Sequence, residues 1–344
     1  MVIRRRPSPA GIAGKEKMMR RSWIRASTFG LLLAVLAGCG RKPGPGELEG
    51  TITISGAWAL YPLAVRWAEE FKKLHPAVRI DISAGGAGKG MADALGKVVD
   101  LGMVSREVYP AEIEKGAWSL AVARDAVVPV MNRENPAADT IRRRGMTREE
   151  FIAVWIRGEK RNWPAPPELR RVPELTVYTR SDACGAAAVW AGYLGGVQED
   201  LQGVGVYGDP GLAQAVRRDF GGIGFNNINY AYDLKTGSPV GGLMVIPIDL
   251  NGNGMVDPEE DFYAGLDEIT SAIADGRYPA PPTRDLYLVS GGPPGSEPVR
   301  IFLDWALREG QAYVEEAGYI ALPPEKLRAG RDKLASPGPA PESD

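Results

Sequence analysis

Three segments of the sequence place glycine, small residues and charged side chains where a strand would turn into a helix. These segments are residues 56–62 (GAWALYP), 85–90 (GGAGKG) and 180–186 (RSDACGA). The first N–H groups of a helix have no partner within the helix and lie at the positive end of its dipole. Three such ends meeting at one point would bind an anion, although each segment alone is also explained as a tight connection.

Charged and aromatic side chains accompany these turns. Ser105 and Arg106 follow a predicted strand, and Arg180 and Asp182 lie in the third turn. An arginine offers a two-pronged donor to an oxyanion or a carboxylate, and Asp182 could orient Arg180 or accept a proton from a protonated anion. The alternative is a structural ion pair in which Asp182 caps the helix. Trp58 is either an aromatic wall for an organic ligand or a plug in a reduced pocket.

Residues 249–260 (DLNGNGMVDPEE) match the calcium-loop pattern D-x-[DN]-x-[DN]-G-x₅-E at every position. The predicted ligands are Asp249, Asn251, Asn253, the backbone carbonyl of Met255, Asp257 and Glu260. A predicted strand precedes this loop where a paired sensor would have a helix. The sequence therefore predicts a lone structural calcium site as the only cofactor, with a metal-free turn as the alternative.

Alternating strands and helices must position these groups. Strands are predicted at 51–55, 78–83, 100–104, 126–131, 175–179, 221–226, 243–248 and 286–289. Helices are predicted at 62–74, at 91–95 with GGAGKG (85–90) opening it, and at 147–155, 185–194, 299–309 and 311–317. This order indicates an α/β fold with mainly parallel sheets.

Composition excludes several classes of protein. Hydrophobic residues make up 44% and charged residues 24% of the 344 residues, which is typical of a globular protein. Without residues 1–38 the chain has 33 basic and 42 acidic residues, so nucleic acid is not an expected partner. Two cysteines and one histidine exclude a Cys/His zinc site and a disulfide framework.

The N-terminal region indicates export. Arginines at 20, 21 and 25 precede an apolar run at 26–37 that is too short to span a bilayer. Residues 36–39 (LAGC) resemble a bacterial lipobox, which implies a signal peptide at 1–38 and lipidation of Cys39. An ordinary signal with a chance cysteine is the alternative. Met18 or Met19 would be a conventional start, which would make 1–17 an extension, and 39–49 is a predicted tether.

Seven segments in order resemble the phosphate-binding protein of bacterial phosphate ABC importers. They read GAWALYPLAVRWAEEF, ISAGGAGKGM, DLGMVSREV, DAVVPVMNRENP, TRSDACGAA, GGIGFNN and FLDWALREGQAYVEEAGYIALP. The resemblance implies a two-lobed periplasmic-binding-protein fold of type II with the ligand in the cleft. Lobe I is expected at 50–127 and 283–328, lobe II at 128–282, and a disordered tail at 329–344.

The resemblance also implies partners and a location. We expect a monomer that binds a small anion, docks on an ABC permease and is anchored through Cys39 in the periplasm or on the outer face of the cell membrane. The implied anion-binding positions are Trp58, Ala59, Leu60, Ala87, Gly88, Ser105, Arg106, Arg180, Asp182, Cys184, Gly185 and Ala186.

The sequence departs from the family at the ligand itself. Members of the family carry hydroxyl side chains where this chain has Ala59, Ala87, Cys184 and Ala186. Each lost hydrogen bond costs about 1 kcal/mol, so phosphate binding is expected to be weak. The loss leaves open a degenerate, ligand-free receptor that serves as a calcium-stabilised surface or sensory module. An enzyme with Cys184 as nucleophile is a weaker alternative, because no motif places a base beside it.

Overall fold

The computed structural model describes residues 46–159, 162–164 and 171–336. The predictions for Cys39, for the leader 1–38 and for the tether up to residue 45 lie outside these residues. None of the helices described is both long enough and apolar enough to cross a membrane.

Strands and helices alternate through the first half of the chain. The elements are β1 (Gly50–Gly56), α1 (Tyr61–Leu74), β2 (Val78–Ala84), α2 (Ala87–Leu95), β3 (Leu101–Val104), α3 (Pro110–Glu114), β4 (Ala117–Asn132), α4 (Ala138–Arg144) and α5 (Arg148–Trp155). The start of α5 follows from its sequence, because the Thr147 hydroxyl accepts a hydrogen bond from the Glu150 N–H at 3.2 Å.

The second half continues the pattern with shorter strands. The elements are β5 (Thr176–Arg180), α6 (Gly185–Leu194), β6 (Val204–Val206), α7 (Gly208–Arg218), β7 (Gly222–Asn227), α8 (Ile228–Ala231), β8 (Leu243–Val245), α9 (Leu266–Ala274), β9 (Thr283–Gly291), α10 (Glu297–Ala306) and α11 (Pro324–Ala335). The helix predicted at 311–317 is instead a 3₁₀ turn at Glu309–Tyr313.

The strands follow the spatial order β2-β1-β3-β9-β4-β7-β5-β6, with β8 also paired to β4. Strand β1 pairs in parallel with β2 and with β3, and β5 pairs in parallel with β6 and with β7. Every pair that includes β4 or β9 is antiparallel. The α/β prediction is confirmed, and the sheet is mixed, with four parallel and four antiparallel pairs among the named strands. The chain crosses between the two halves along β4 and returns along β9, so these two strands run in opposite directions.

Two hydrophobic cores flank the crossing strands, as a two-lobed fold requires. On β4, Ala123 belongs to the first core and Ala126 to the second. Tyr278 packs in the second core, and Leu286 on β9 packs in the first. Strands β4 and β9 are therefore the physical link between the two cores.

Helix α11 corrects the prediction of a disordered tail from residue 329. This helix runs to Ala335 and buries Leu334 in the first core, with Leu327 partly buried beside it. Pro324 is suited to the first turn of this helix because it needs no N–H partner there. Residues 337–344 lie outside the described part of the chain.

Glycines place α2 directly against the sheet. A Cβ added to Gly56 or Gly90 would lie 2.7 or 2.9 Å from the Cα of the other, and one added to Gly102 would lie 2.7 Å from the Gly90 carbonyl carbon. Backbone therefore packs on backbone at this contact, and no side chain fits between β1, β3 and α2. The contact fixes the position of the second turn, which begins α2.

We predict that Gly102→Ala lowers the free energy of unfolding by about 1–3 kcal/mol, because its methyl group must displace the α2 backbone. The matched control is Gly192→Ala on α6, where an added Cβ meets no atom within 4 Å. Alanine favours a helix over glycine by about 1 kcal/mol, so this control should unfold at equal or higher urea concentration. Equal urea midpoints for Gly102→Ala and the wild type would contradict the packing described.

Candidate functional site

The first turn joins β1 to α1, and the N–H groups of Ala57 and Leu60 have partners in the protein. The Ala57 N–H donates to the Met103 carbonyl at 2.8 Å, and the Leu60 N–H donates to the Ala57 carbonyl at 3.1 Å. The Tyr319 hydroxyl donates to the Ala59 carbonyl at 2.6 Å. The expectation of a free N–H at Leu60 is therefore wrong for this conformation.

The second turn lies against the third. Gly86 has a φ of 91°, and a Cβ there would lie 2.7 Å from the Ala183 carbonyl oxygen. The Gly88 N–H donates to the same oxygen at 3.0 Å. Two of the three turns thus meet, but their contact occupies the Gly88 N–H that was expected to bind an anion.

The third turn begins α6 and retains free donors. Cys184 is the N-cap residue, and its Sγ accepts a hydrogen bond from the Ala187 N–H at 3.4 Å. The Cys184 N–H donates to the Gln198 Oε1 at 3.1 Å. Across the described ranges, the N–H groups of Gly185 and Ala186 have no hydrogen-bond partner. They are the candidate anion donors that this conformation leaves available.

Arg180 lies five positions before Gly185 in the chain, and its side chain is fully buried. Its Nε and Nη2 donate to the two Asp182 carboxylate oxygens at 2.9 and 2.7 Å, and its Nη1 donates to Asp209 at 2.6 Å. Burial acts to lower the pKa of Arg180, but the charges of Asp209 and Asp182 outweigh it and raise the pKa. The ion pair with Asp182 exists, whereas helix capping by Asp182 is wrong, because its Oδ1 instead accepts from the Gly208 N–H at 3.1 Å.

The ion pair continues toward the crossing strands. The Asn227 Nδ2 donates to the Asp209 Oδ1 at 2.7 Å, and the Asn227 Oδ1 accepts from the Arg284 Nη2. The same Nη2 lies 3.2 Å from Asp125 on β4. Burial raises the pKa of Asp125 to about 7, against the opposing charge of Arg284. We call this series the buried charge network: Asp182, Arg180, Asp209, Asn227, Arg284 and Asp125.

Arg106 points to a different partner. Its two Nη atoms bind the Glu112 carboxylate at 2.9 and 2.7 Å, and its guanidinium lies 4.1 Å from the Tyr109 ring centroid. Ser105 is buried beside the third turn, where a Cβ on Gly185 would lie 2.5 Å from the Ser105 carbonyl carbon. Arg106 is therefore neutralised by Glu112, and Ser105 makes a close backbone contact.

Trp58 lies between the first turn and the start of α7. A Cβ on Gly208 would lie 3.3 Å from the indole Nε1 of Trp58, and the Trp58 and Tyr207 rings meet edge to face at 6.5 Å. The Trp58 carbonyl accepts from the Tyr230 hydroxyl at 3.2 Å. This packing favours the interpretation of Trp58 as a plug.

A cavity of about 520 Å³ opens beside the second and third turns. Its lining residues include Gly88, Arg106, Ala183, Cys184 and Gln198. The cavity borders Cys184, the N-cap residue of α6, from one side.

The environment of Cys184 argues against the nucleophile hypothesis. Burial raises the pKa of the Cys184 thiol to about 12, and the neighbouring charge of Arg180 only partly opposes this. The reactive form of cysteine is the thiolate, and burial disfavours that form here.

Sequence analysis missed four members of the buried charge network, although a signal existed for two. Asp125 and Asn227 lie in the segments DAVVPV and GGIGFNN that carry the family resemblance. Asp209 and Arg284 stand in no such segment. Their roles depend on β9 and α7 being brought beside β4 and β5, which spacing along the chain does not reveal.

The predicted calcium loop is built around two buried acids. Asp249 and Glu260 are 4% and 5% exposed. The Asp249 oxygens accept from the Gly252 and Gly254 N–H groups at 2.7 and 2.9 Å, and the Glu260 Oε1 accepts from the Leu250 N–H at 2.9 Å. Carboxylate oxygens therefore face the inside of the loop.

The two asparagines of the pattern bind an acid of the same pattern through their amide nitrogens. The Asn251 and Asn253 Nδ2 atoms donate to the same Asp257 oxygen at 2.7 and 2.8 Å. Nowhere in the described residues do three or more His, Cys, Asp or Glu side chains group as a metal site. Asp249, Asp257 and Glu260 therefore do not suffice, and a calcium ion would also need the asparagine oxygens.

The sequence is similar to those of two phosphate-binding proteins. The chain is 25% identical to the phosphate-binding protein PstS of Methanocaldococcus jannaschii over 371 residues, covering 89% of this chain and 94% of the relative. It is 23% identical to the PstS of Xylella fastidiosa over 325 residues, covering 83% and 86%.

Solved structures share the fold. An ABC-type phosphate transport receptor from Vibrio cholerae matches with a TM-score of 0.56 and 19% identity, over 79% of this chain and all of that one. A DING protein matches with a TM-score of 0.61 and 15% identity, over 82% and 94%. The profile of the PBP superfamily domain matches residues 42–309, and the chain therefore belongs to the PBP superfamily.

Proposed function

We propose that this protein is an extracytoplasmic receptor that binds phosphate or a related anion and delivers it to an ABC permease. The observation that carries the proposal is the pair of free N–H groups at Gly185 and Ala186, one turn after the buried Arg180. A helix N-terminus beside a fixed guanidinium stabilises a negative charge. The relatives named phosphate-binding proteins support the same ligand class.

Closure of the two halves on the ligand is the proposed mechanism. The halves are joined by β4 and β9, and the second and third turns come from opposite halves. The Gly88 to Ala183 hydrogen bond at 3.0 Å spans the junction. An anion that binds the third turn and is enclosed by the second would favour the closed state by its differential affinity.

Selectivity for phosphate is proposed to be low. Ala59, Ala87 and Ala186 are each at most 1% exposed and supply no hydroxyl. The charged groups remain, but Arg180 is already neutralised by Asp182 and Asp209. Directional hydrogen bonds that distinguish one oxyanion from another are therefore few.

A ligand-free receptor is the second candidate. The occupied N–H groups of Leu60 and Gly88, at 3.1 and 3.0 Å from their acceptors, favour it, as does the plug formed by Trp58. In that case the closed state would be held by the protein's own contacts. An absence of thermal shift with any anion would favour this candidate over transport.

Calcium is proposed as a structural ion of the loop at 249–260. The loop is fixed to the fold at its first residue and near its middle, because the Asp249 N–H donates to the Met146 carbonyl at 3.0 Å and the Val256 N–H donates to the Arg143 carbonyl at 2.9 Å. An ion that binds only the folded loop stabilises the fold by an amount that rises with the logarithm of its free concentration above its Kd. Lipid anchoring through Cys39 is likewise proposed on the sequence at 36–39.

We predict weak phosphate binding by the wild type and stronger binding after the hydroxyls are restored. The variant Ala59→Thr, Ala87→Ser, Cys184→Ser and Ala186→Thr should bind phosphate about tenfold to a thousandfold more tightly, at about 1 kcal/mol per bond. Isothermal titration calorimetry with phosphate, sulfate and molybdate measures this, with unchanged circular dichroism as the control for folding. Submicromolar phosphate binding by the wild type would contradict the prediction.

We predict that calcium raises the melting temperature and that Glu260→Gln removes this effect, because the substitution neutralises the last ligand of the loop. Glu259→Gln, which alters the exposed neighbouring carboxylate, is the matched control and should keep the full calcium response. Differential scanning calorimetry with calcium and with chelator gives the comparison. A wild-type melting temperature that chelator leaves unchanged would rule calcium out.

We predict that Cys39→Ser releases the protein from the membrane fraction, because a serine cannot be diacylated through a thioether. Fractionation of cells followed by immunoblotting measures the distribution. Unchanged membrane association in the variant would show that another segment is responsible.

A further inference from the structure

A second cavity, of about 800 Å³, adjoins the cavity beside the second and third turns and shares Arg106, Tyr109 and Ala188 with it. It is bordered by α6, by the segment from α9 to β9, by the loop after β3 and by Lys326 of α11. Of the residues predicted to bind the anion, only Arg106 lines it. A cavity of this size holds a small organic molecule, and a bare inorganic ion would leave most of it empty.

Arg284 lines this cavity and is only 7% exposed. Its Nη2 binds Asn227 and Asp125, whereas its Nε and Nη1 are buried and have no hydrogen-bond partner. Thr283, the preceding residue on β9, also lines the cavity and has a buried hydroxyl without a partner. A buried donor without an acceptor costs about 1–3 kcal/mol, and more when the group is charged.

Arg284 faces one carboxylate, that of Asp125. Burial raises the pKa of Asp125 to about 7 and also lowers the pKa of Arg284, so each charge of this pair depends on the other. On the same wall, Arg124 and Lys326 share a single carboxylate, that of Asp285. The cavity as a whole is lined by four basic and three acidic side chains: Arg106, Arg124, Arg284 and Lys326, and Glu107, Asp275 and Asp285. This excess is small, so the preference for a negatively charged occupant rests on the unpartnered donors of Arg284.

The remaining walls can accommodate a carbon skeleton. Tyr287 and Val189 are partly exposed, and Tyr109 is 47% exposed. Gly192 faces open space, since an added Cβ would meet no atom within 4 Å. Aromatic and aliphatic surfaces of this kind bind the apolar part of a ligand, while a few polar groups orient it.

We propose that this cavity binds a small organic anion, whose carboxylate or phosphate group takes the free N–H groups of Arg284 and whose carbon skeleton packs against Tyr287 and Val189. The two head groups share the chemistry that a guanidinium recognises. The inference goes beyond the proposed function, because the site is formed by other residues than the Gly185 and Ala186 donors.

Calorimetric titration of the full chain with benzoate, phenyl phosphate and inorganic phosphate tests the proposal. We expect at least one of the two organic anions to bind saturably at millimolar concentration or below. Gly192→Leu fills the cavity from a helix position that accepts a side chain, so it should weaken that binding at least about tenfold. Gly192→Ala is the matched control and should stay within about twofold of the wild type.

A second variant examines the head group without depending on cavity shape. Arg284→Lys keeps a positive charge but loses the planar donor pair, so it should weaken the same organic anion about tenfold or more. Comparison of benzoate with phenyl phosphate identifies which head group the site accepts. Failure of both organic anions to bind, or equal affinity in the wild type and Gly192→Leu, would overturn the proposal.

The inorganic phosphate arm separates this site from the proposed function. Phosphate binding that is unaffected by Gly192→Leu supports a receptor site at the third turn that is separate from the cavity. The effect of Gly192→Leu on the binding of the organic anions then decides whether the cavity is a binding site. Loss of phosphate binding in Gly192→Leu would show that the two regions are one site and would overturn the assignment of a separate cavity.

Discussion

The double ion pair of Arg180 with Asp182 and Asp209 is the interaction on which the rest of the site depends. A guanidinium with a fully buried side chain is tolerated only when carboxylates satisfy it, and here three of its donors are bound at 2.6 to 2.9 Å. These bonds hold β5, the third turn and α7 together. They also fix the direction of α6, so the free N–H groups of Gly185 and Ala186 have a defined position.

The same interaction links the candidate site to the strands that join the two halves. Asp209 binds Asn227, and Asn227 binds Arg284, which faces Asp125 across β4 and β9. Movement of one half relative to the other must therefore preserve or break buried polar contacts, which favours two discrete arrangements over a continuum. The ion pairs at the third turn and the contacts between the crossing strands are therefore both parts of the buried charge network.

Sequence alone predicts the α/β architecture and the second and third turns, because strand and helix periodicity and glycine at turns are local properties. It does not predict the antiparallel crossing strands, since β4 and β9 pair residues that are 157 to 174 positions apart in the chain, and only the tertiary fold brings these together. It names Arg180 and Asp182 but misses Asp209. It also assigns Leu60 and Gly88 as free donors, whereas local turn closure and contact with Ala183 occupy their N–H groups.

The most direct test of the central claim is a crystal structure of the protein grown in the presence of phosphate. The account predicts an anion bound to the N–H groups of Gly185 and Ala186, with Arg180 still held by Asp182 and Asp209. Density for an anion elsewhere, or a structure in which these two N–H groups bind protein or water at saturating phosphate, would contradict it.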